Sequence, residues 1–102
     1  MSTQIGRPMK YGAFLLILED NVLYSPAGVA INAEKHGMLP TNMSREDLIN
    51  QRRRVRHSLN RYRINHNFPD EGDGRIKIGG QAGATAWFGR RWKARVLAQG
   101  NS

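Results

Sequence analysis

The stretch SREDLINQRRRVRHSLNRYRIN, residues 44–65, is the part of the sequence that decides the expected fold. Ser44 is a residue type that caps helices, and Glu46 and Asp47 place negative charge in the first turn, where it favours the helix dipole. The pattern predicts one long helix over residues 45–65. Its apolar side chains recur at helical spacing, with Arg52 in the gap: Leu48, Val55, Leu59 and Tyr62.

The same stretch carries a net charge of +5, the larger part of the +8 of the whole chain. Residues 45–63 contain seven arginines and two acids, and no acid lies between Arg52 and Arg63. With the apolar stripe turned inward, these arginines lie mostly on the outward side. A solvated helix face is the ordinary meaning of a charge run, but such a face usually mixes both signs. Because guanidinium groups suit phosphate oxygens and guanine edges, we favour nucleic-acid contact.

A shorter helix is predicted before the long one. Ser25 suits the N-cap position, Pro26 suits the first helical turn, and Gly37 suits the position just after the last turn. These three signals predict a second helix over residues 25–37. The loop between the second and third helices covers residues 38–43, which include Pro and Asn.

The N-terminal part contains one further helix pattern. Apolar residues at helical spacing predict a first helix over residues 11–18, although a strand over 13–18 fits the same short apolar run. Residues 1–8 are polar and are expected to form a flexible arm. We expect a single domain over residues 9–97, followed by a frayed tail over 98–102.

The residues after the long helix have the character of a β-hairpin. A turn is predicted over residues 70–74, and the alternation of polar and apolar residues predicts a strand over 75–78. A glycine-rich loop over 79–84 leads to a return strand over 85–88, which is rich in β-prone residues. Residues 89–96 are basic with apolar residues at alternate positions, so they either continue the sheet or form a tail.

Three helices followed by a hairpin with basic flanks resemble the winged helix-turn-helix family over residues 11–88. The resemblance implies an α+β fold in which the third helix lies in the major groove of DNA. It also implies that the hairpin, taken here as residues 75–91, contacts the phosphate backbone. A DNA-binding protein of this kind would act as a transcriptional regulator or as a phage or mobile-element accessory factor.

The candidate nucleic-acid-binding residues are outward basic side chains, together with amides that can bond adenine edges and with one histidine. They are Arg45, Asn50, Gln51, Arg53, Arg54, Arg56, His57, Asn60, Arg61, Arg75, Lys77, Arg90, Arg91 and Lys93. Trp87, Phe88 and Trp92 could stack on unpaired bases, as in RNA binding. For these aromatic residues we favour positions in the hydrophobic core.

Several classes of chemistry find no support in the sequence. The absence of cysteine excludes disulfides, Cys-ligated zinc, iron–sulfur clusters and thiol catalysis. The three histidines share no metal-ligand spacing, and the acidic turn over 70–74 lacks the ligand pattern of a calcium loop. No catalytic constellation or phosphate-binding glycine motif occurs. We therefore expect a protein without a metal or cofactor that is not an enzyme.

Composition limits the partners further. The chain has 102 residues and a net charge of +8, and all of that excess lies after residue 44. Double-stranded DNA is the first expected partner, with an acidic protein or RNA as alternatives and a homodimer as a further possibility. The longest apolar run, residues 13–18, is shorter than a membrane span or a signal sequence needs. We expect no membrane contact and a cytoplasmic protein, associated with the nucleoid if it binds DNA.

Overall fold

The computed structural model describes residues 10–66, 76–78 and 87–100. These residues form a small, mostly helical α+β fold, which confirms the predicted class. The predicted arm over 1–8 and the turn and glycine-rich loop over 70–74 and 79–84 lie outside the described residues. In chain order the elements are α1 (Gly12–Leu16), β1 (Val22–Tyr24), α2 (Pro26–Lys35), α3 (Arg45–His66), β2 (Ile76–Ile78) and α4 (Arg90–Gly100).

The two ends of α2 are fixed by the residues that predict them. The Ser25 hydroxyl oxygen accepts a hydrogen bond from the Gly28 amide at 3.0 Å, which satisfies one of the unpaired donors of the first turn. After the last turn, Gly37 has a φ of 73°, a left-handed conformation that glycine adopts without strain. The Met38 amide then donates to the Ala33 carbonyl at 2.9 Å, as in a Schellman motif. The predicted second helix is confirmed.

The long helix α3 also begins as its sequence predicts. The Ser44 hydroxyl accepts a hydrogen bond from the Asp47 amide at 3.1 Å. Its 22 residues extend for about 33 Å, at the helical rise of about 1.5 Å per residue. Val55, Leu59 and Tyr62 are buried and Leu48 is half-buried, so the predicted inward stripe is confirmed except at its first residue. The opposite side of α3 is left to solvent.

β1, which the sequence pattern does not predict, lies between the two segments expected to form the hairpin. β1 pairs with β2 in parallel. The amide and carbonyl of Tyr24 both bond to Phe88, each at 2.8 Å, whereas the Ser25 amide donates to the Ile78 carbonyl at 3.1 Å. Because successive backbone groups of a strand point to opposite edges, β2 and Phe88 lie on opposite sides of β1.

The predicted hairpin is therefore not the pairing that the described residues make. The strand over residues 75–78 is found as β2, but its partner is β1. Of the return strand over 85–88, Phe88 forms an isolated bridge to Tyr24, while residues 85 and 86 lie outside the described residues. The physical reason is that β1 consists of three buried apolar residues and offers one backbone edge to each segment.

Residues 89–96 are helical in α4, which corrects the expectation of a strand or tail. That expectation used apolar residues at alternate positions, but Ala94 is exposed. Trp92 is fully buried and Val96 packs against the core. Because Trp92 and Val96 are four residues apart, they lie on one face of a helix. The segment is therefore helical despite its apparent alternation of polar and apolar residues. α4 also includes the first part of the segment 98–102 that was expected to fray.

Two close contacts define the core: α1 packs against α2 and α4, and β2 packs against the first turn of α2. α1 is shorter than the predicted helix over 11–18, yet it still buries Phe14 and Leu15 against α2 and α4. Gly28 allows β2 to lie directly against the first turn of α2. A Cβ at this glycine would be only 2.7 Å from the Ile78 carbonyl oxygen. The start of α2 is thus held between β2 and α3.

Candidate nucleic-acid interface

A bidentate ion pair fixes α3 against α2. Arg52 Nε donates to one carboxylate oxygen of Glu34 at 3.0 Å, and Arg52 Nη2 donates to the other at 2.8 Å. The Glu34 side chain is only 7% exposed and that of Arg52 is 36% exposed. Gln51 Nε2 donates to the Pro40 carbonyl at 3.0 Å, so the loop before α3 is tied to the same place. These contacts set which side of α3 faces outward.

Two residues of the arginine-rich stretch are therefore used within the fold. The hydrogen bond to Glu34 raises the pKa of the Arg52 guanidinium, although burial acts in the opposite direction. Arg52 thus stays charged throughout the physiological pH range. Gln51, a candidate for base contact, is 5% exposed and donates to Pro40. It lies on the side that faces α2, away from the surface that the exposed arginines share.

Replacing Arg52 by alanine is expected to lower the free energy of unfolding by about 2 kcal/mol. The buried Glu34 carboxylate would lose both hydrogen bonds to Arg52, and the expected effect lies below that for a fully buried pair because Arg52 is partly exposed. Urea unfolding followed by circular dichroism measures the change. Arg53→Ala is the matched control, since Arg53 is exposed and a change within about 0.5 kcal/mol is expected. Equal effects of the two substitutions would contradict the role of the ion pair.

The outward side of α3 forms a continuous basic surface, which we call the arginine face. All of its members are exposed, and within the part of the chain that the structure describes none of its arginines forms an ion pair. The acids of α3 are restricted to its first turn. The arginine face consists of Arg53, Arg54, Arg56, His57 and Arg61.

The remaining α3 candidates lie at the margins of this face. Arg45 is exposed at the start of the helix, beside the acidic Glu46 and Asp47. Asn50 and Asn60 are half-buried, so each presents only part of its amide to solvent. The two asparagines carry no charge, and the charge of Arg45 is offset by the neighbouring acids.

The candidate residues after α3 differ in where they lie and in what they contact. Arg75 and the side chain of Lys77 lie outside what the structure describes. Arg90 and Arg91 are exposed in the first turn of α4. Lys93 Nζ donates to the Leu18 carbonyl at 2.7 Å and lies 3.2 Å from an Asp20 carboxylate oxygen, so it ties α4 to the connection between α1 and β1. Lys93 therefore has a structural contact where a nucleic-acid contact was expected.

A groove of about 230 Å³ lies beside the arginine face, between the start of α2 and α3. It is lined by Ala27, Ile49, Arg52, Arg53 and Arg56. Ile49 is 46% exposed, so this apolar side chain is available at the surface. Sequence reasoning misses both apolar residues, because nothing in the local pattern brings the first turn of α2 beside α3. The one signal is that Ile49 falls outside the buried stripe of the helix.

The aromatic residues near α4 belong to the core, as favoured from the sequence. Phe88 and Trp92 are both fully buried, and their ring centroids are 5.1 Å apart. Trp87 is half-buried. Stacking on unpaired bases requires an exposed ring face, so two of the three residues considered for RNA stacking are inaccessible.

The described ranges contain neither a candidate metal site nor a candidate membrane span. Residues 10–66, 76–78 and 87–100 contain no group of three histidine or acidic side chains that could share a metal ion. None of the helices in these ranges is both long and apolar enough to cross a bilayer. The arginine face and the neighbouring groove are thus the surface features on which a function can be argued.

Comparison with known proteins gives no relative for this chain. No protein-family model, no curated protein and no solved structure matches it. A function therefore has to be argued from the arginine face, the groove and the contacts that orient α3.

Proposed function

We propose that this chain binds double-stranded DNA, with α3 lying in the major groove. The observation that carries the proposal is the arginine face, whose four arginines are exposed and form no ion pair within the described residues. Phosphate neutralisation by such side chains supplies most of the affinity of a protein for DNA. The major groove, about 12 Å wide, accepts one α-helix with its side chains.

Positions around the helix suggest different roles for the members of the arginine face. Arg53 and His57 are each two residues from the buried Val55, about 200° around the helix axis, so they point most directly outward. Arg54 and Arg56 are about 100° from Val55 and lie on the two flanks. In a helix laid in the groove, central side chains meet base edges and flanking ones meet phosphates. We assign Arg53 and His57 to bases and Arg54 and Arg56 to the backbone.

The contacts behind α3 support this orientation. The ion pair between Arg52 and Glu34 and the hydrogen bond from Gln51 to Pro40 hold the opposite side of the helix on α2 and its loop. A recognition surface held by a rigid scaffold loses less conformational entropy on binding. The arginine face is therefore presented ready for contact.

The proposal includes a second contact region at the start of α4, in the segment where the winged-helix resemblance implied a hairpin. Residues 75–91 follow α3, and Arg90 and Arg91 lie exposed at the start of α4. In this proposal they contact the phosphate backbone beside the groove that α3 occupies. The role is that of a transcriptional regulator or of a phage or mobile-element accessory factor.

The direct test is the salt dependence of binding to a fluorescent random-sequence duplex, measured by anisotropy. With about six phosphates neutralised, the logarithm of the association constant should fall against the logarithm of salt concentration with a slope of about −5. No binding at low salt, or a slope near zero, would overturn the proposal. Binding of single-stranded RNA or polyglutamate in preference to the duplex would assign the basic surface to RNA or to an acidic protein.

A further inference from the structure

The groove between α2 and α3 combines an apolar floor with a basic rim. Ala27 and Ile49 form the floor, and Arg53 and Arg56 of the arginine face stand at its edge. Arg52 also lines the groove, but its guanidinium is held by Glu34. The free charge at this place therefore comes from the two arginines of the arginine face.

Two backbone amides in the first turn of α2 are already paired within the helix. The Ser25 hydroxyl accepts a hydrogen bond from the Gly28 amide, and the Ser25 carbonyl accepts one from the Val29 amide at 2.9 Å. Pro26 has no amide hydrogen to offer. The groove thus adds an apolar floor, contributed by two helices, to the charge of the arginine face, and this floor fits a ligand group that is itself apolar.

A duplex presents only one apolar group on its base edges in the major groove, which is the C5-methyl of thymine. We infer that Ile49 and Ala27 contact a thymine methyl group while Arg53 and Arg56 contact the adjoining backbone and bases. The groove then makes binding by this chain prefer thymine at one or two positions. This inference rests on the proposed binding of duplex DNA, and it adds the base that the α2–α3 groove selects.

The position of Ile49 favours this role over a contribution to the core. Its side chain is 46% exposed, and it lies outside the buried apolar stripe of α3, which consists of Val55, Leu59 and Tyr62. Ile64, also on α3, is 66% exposed and lines a different pocket, beside His57 and Arg61 of the arginine face. α3 thus has two exposed isoleucines. Only Ile49 lines the groove that Arg53 and Arg56 form with the start of α2.

The experiment replaces thymine by uracil, which lacks only the methyl group. A duplex enriched by the wild-type chain from a randomised pool is substituted at one thymine at a time, and the affinity of the full chain is measured by anisotropy. Loss of one buried methyl group should weaken wild-type binding about fourfold at the position that meets the groove. Ile49→Ala should show no loss at that position, whereas the matched control Ile64→Ala should show the wild-type loss.

Two results would overturn the inference without touching duplex binding itself. One is a wild-type chain that binds the pool but is insensitive to every uracil substitution. The other is a uracil effect that persists in full in Ile49→Ala. Failure of the wild-type chain to bind any duplex at low salt would be the distinct failure of the proposed function. Melting temperatures of both variants, expected to match the wild type because both side chains are exposed, show that folding is intact.

Discussion

Replacing Trp92 by alanine is expected to lower the free energy of unfolding by about 4 kcal/mol. The Trp92 side chain is fully buried, and its ring centroid lies 5.5 Å from that of Tyr62 and 5.1 Å from that of Phe88. It therefore joins α4 to α3 and to the residue that bridges β1. Removing the indole leaves a large cavity where these elements meet, and few domains of this size keep much stability after such a loss.

Urea unfolding followed by far-ultraviolet circular dichroism measures this effect. Leu97→Ala is the control, because Leu97 lies on the same helix but is 52% exposed, and a change of at most about 0.5 kcal/mol is expected. If Trp92→Ala were no more destabilising than Leu97→Ala, α4 would not pack on the core as described.

Replacing Arg53 and Arg54 together by alanine is expected to weaken duplex binding about 50-fold at 0.1 M salt. Of the two residues, Arg54 is the one assigned to the backbone, and each phosphate contact contributes close to one unit to the slope of affinity against salt, so the slope should also become shallower by about 1. Both side chains are exposed, and neither forms an ion pair within the described residues. Stability should therefore stay near that of the wild type.

The matched control removes two positive charges from elsewhere on the surface. Lys10 and Lys35 are exposed and lie outside α3, so Lys10→Ala with Lys35→Ala gives the same net charge. This double variant should lose only a few-fold in affinity, through the general field of the protein. Similar losses in the two double variants would show that net charge, rather than the arginine face, governs binding.

The elements that sequence reasoning predicts well are those whose signals are local. Ser25 and Gly37 act on the backbone within a few residues of themselves, and their hydrogen bonds and conformation are found as expected. The inward stripe of α3 is equally local, because residues three and four apart share a helix face. These signals suffice for α2, α3 and the orientation of most of the arginine face.

The elements that it misses depend on distant partners. β1 has only three residues, and its strand conformation is stabilised by pairing with β2 and with Phe88, both more than fifty residues later in the chain. The sequence from Trp92 to Val96 satisfies both a two-residue and a four-residue spacing, so local pattern alone does not separate strand from helix. Packing of Trp92 on Tyr62 stabilises the helical conformation of this segment.

The same division holds for the candidate site. Sequence periodicity places Arg53, Arg54 and Arg56 outward, as the structure does. It cannot foresee that Lys93 is drawn to Leu18 and Asp20, which lie 75 and 73 residues away along the chain. The contact of Gln51 is equally hard to predict, because its side chain donates to the Pro40 carbonyl in the preceding loop. The groove floor at Ala27 exists only after α2 and α3 have packed.

The most direct test of duplex binding by α3 is an amide NMR titration of the labelled chain with a random-sequence duplex at low and moderate salt. Binding through the arginine face predicts salt-sensitive shifts concentrated at Arg53–Arg61, with further shifts at Ala27, Ile49 and Arg90–Arg91. The absence of shifts at low salt, or shifts that leave Arg53–Arg61 unchanged, would contradict it.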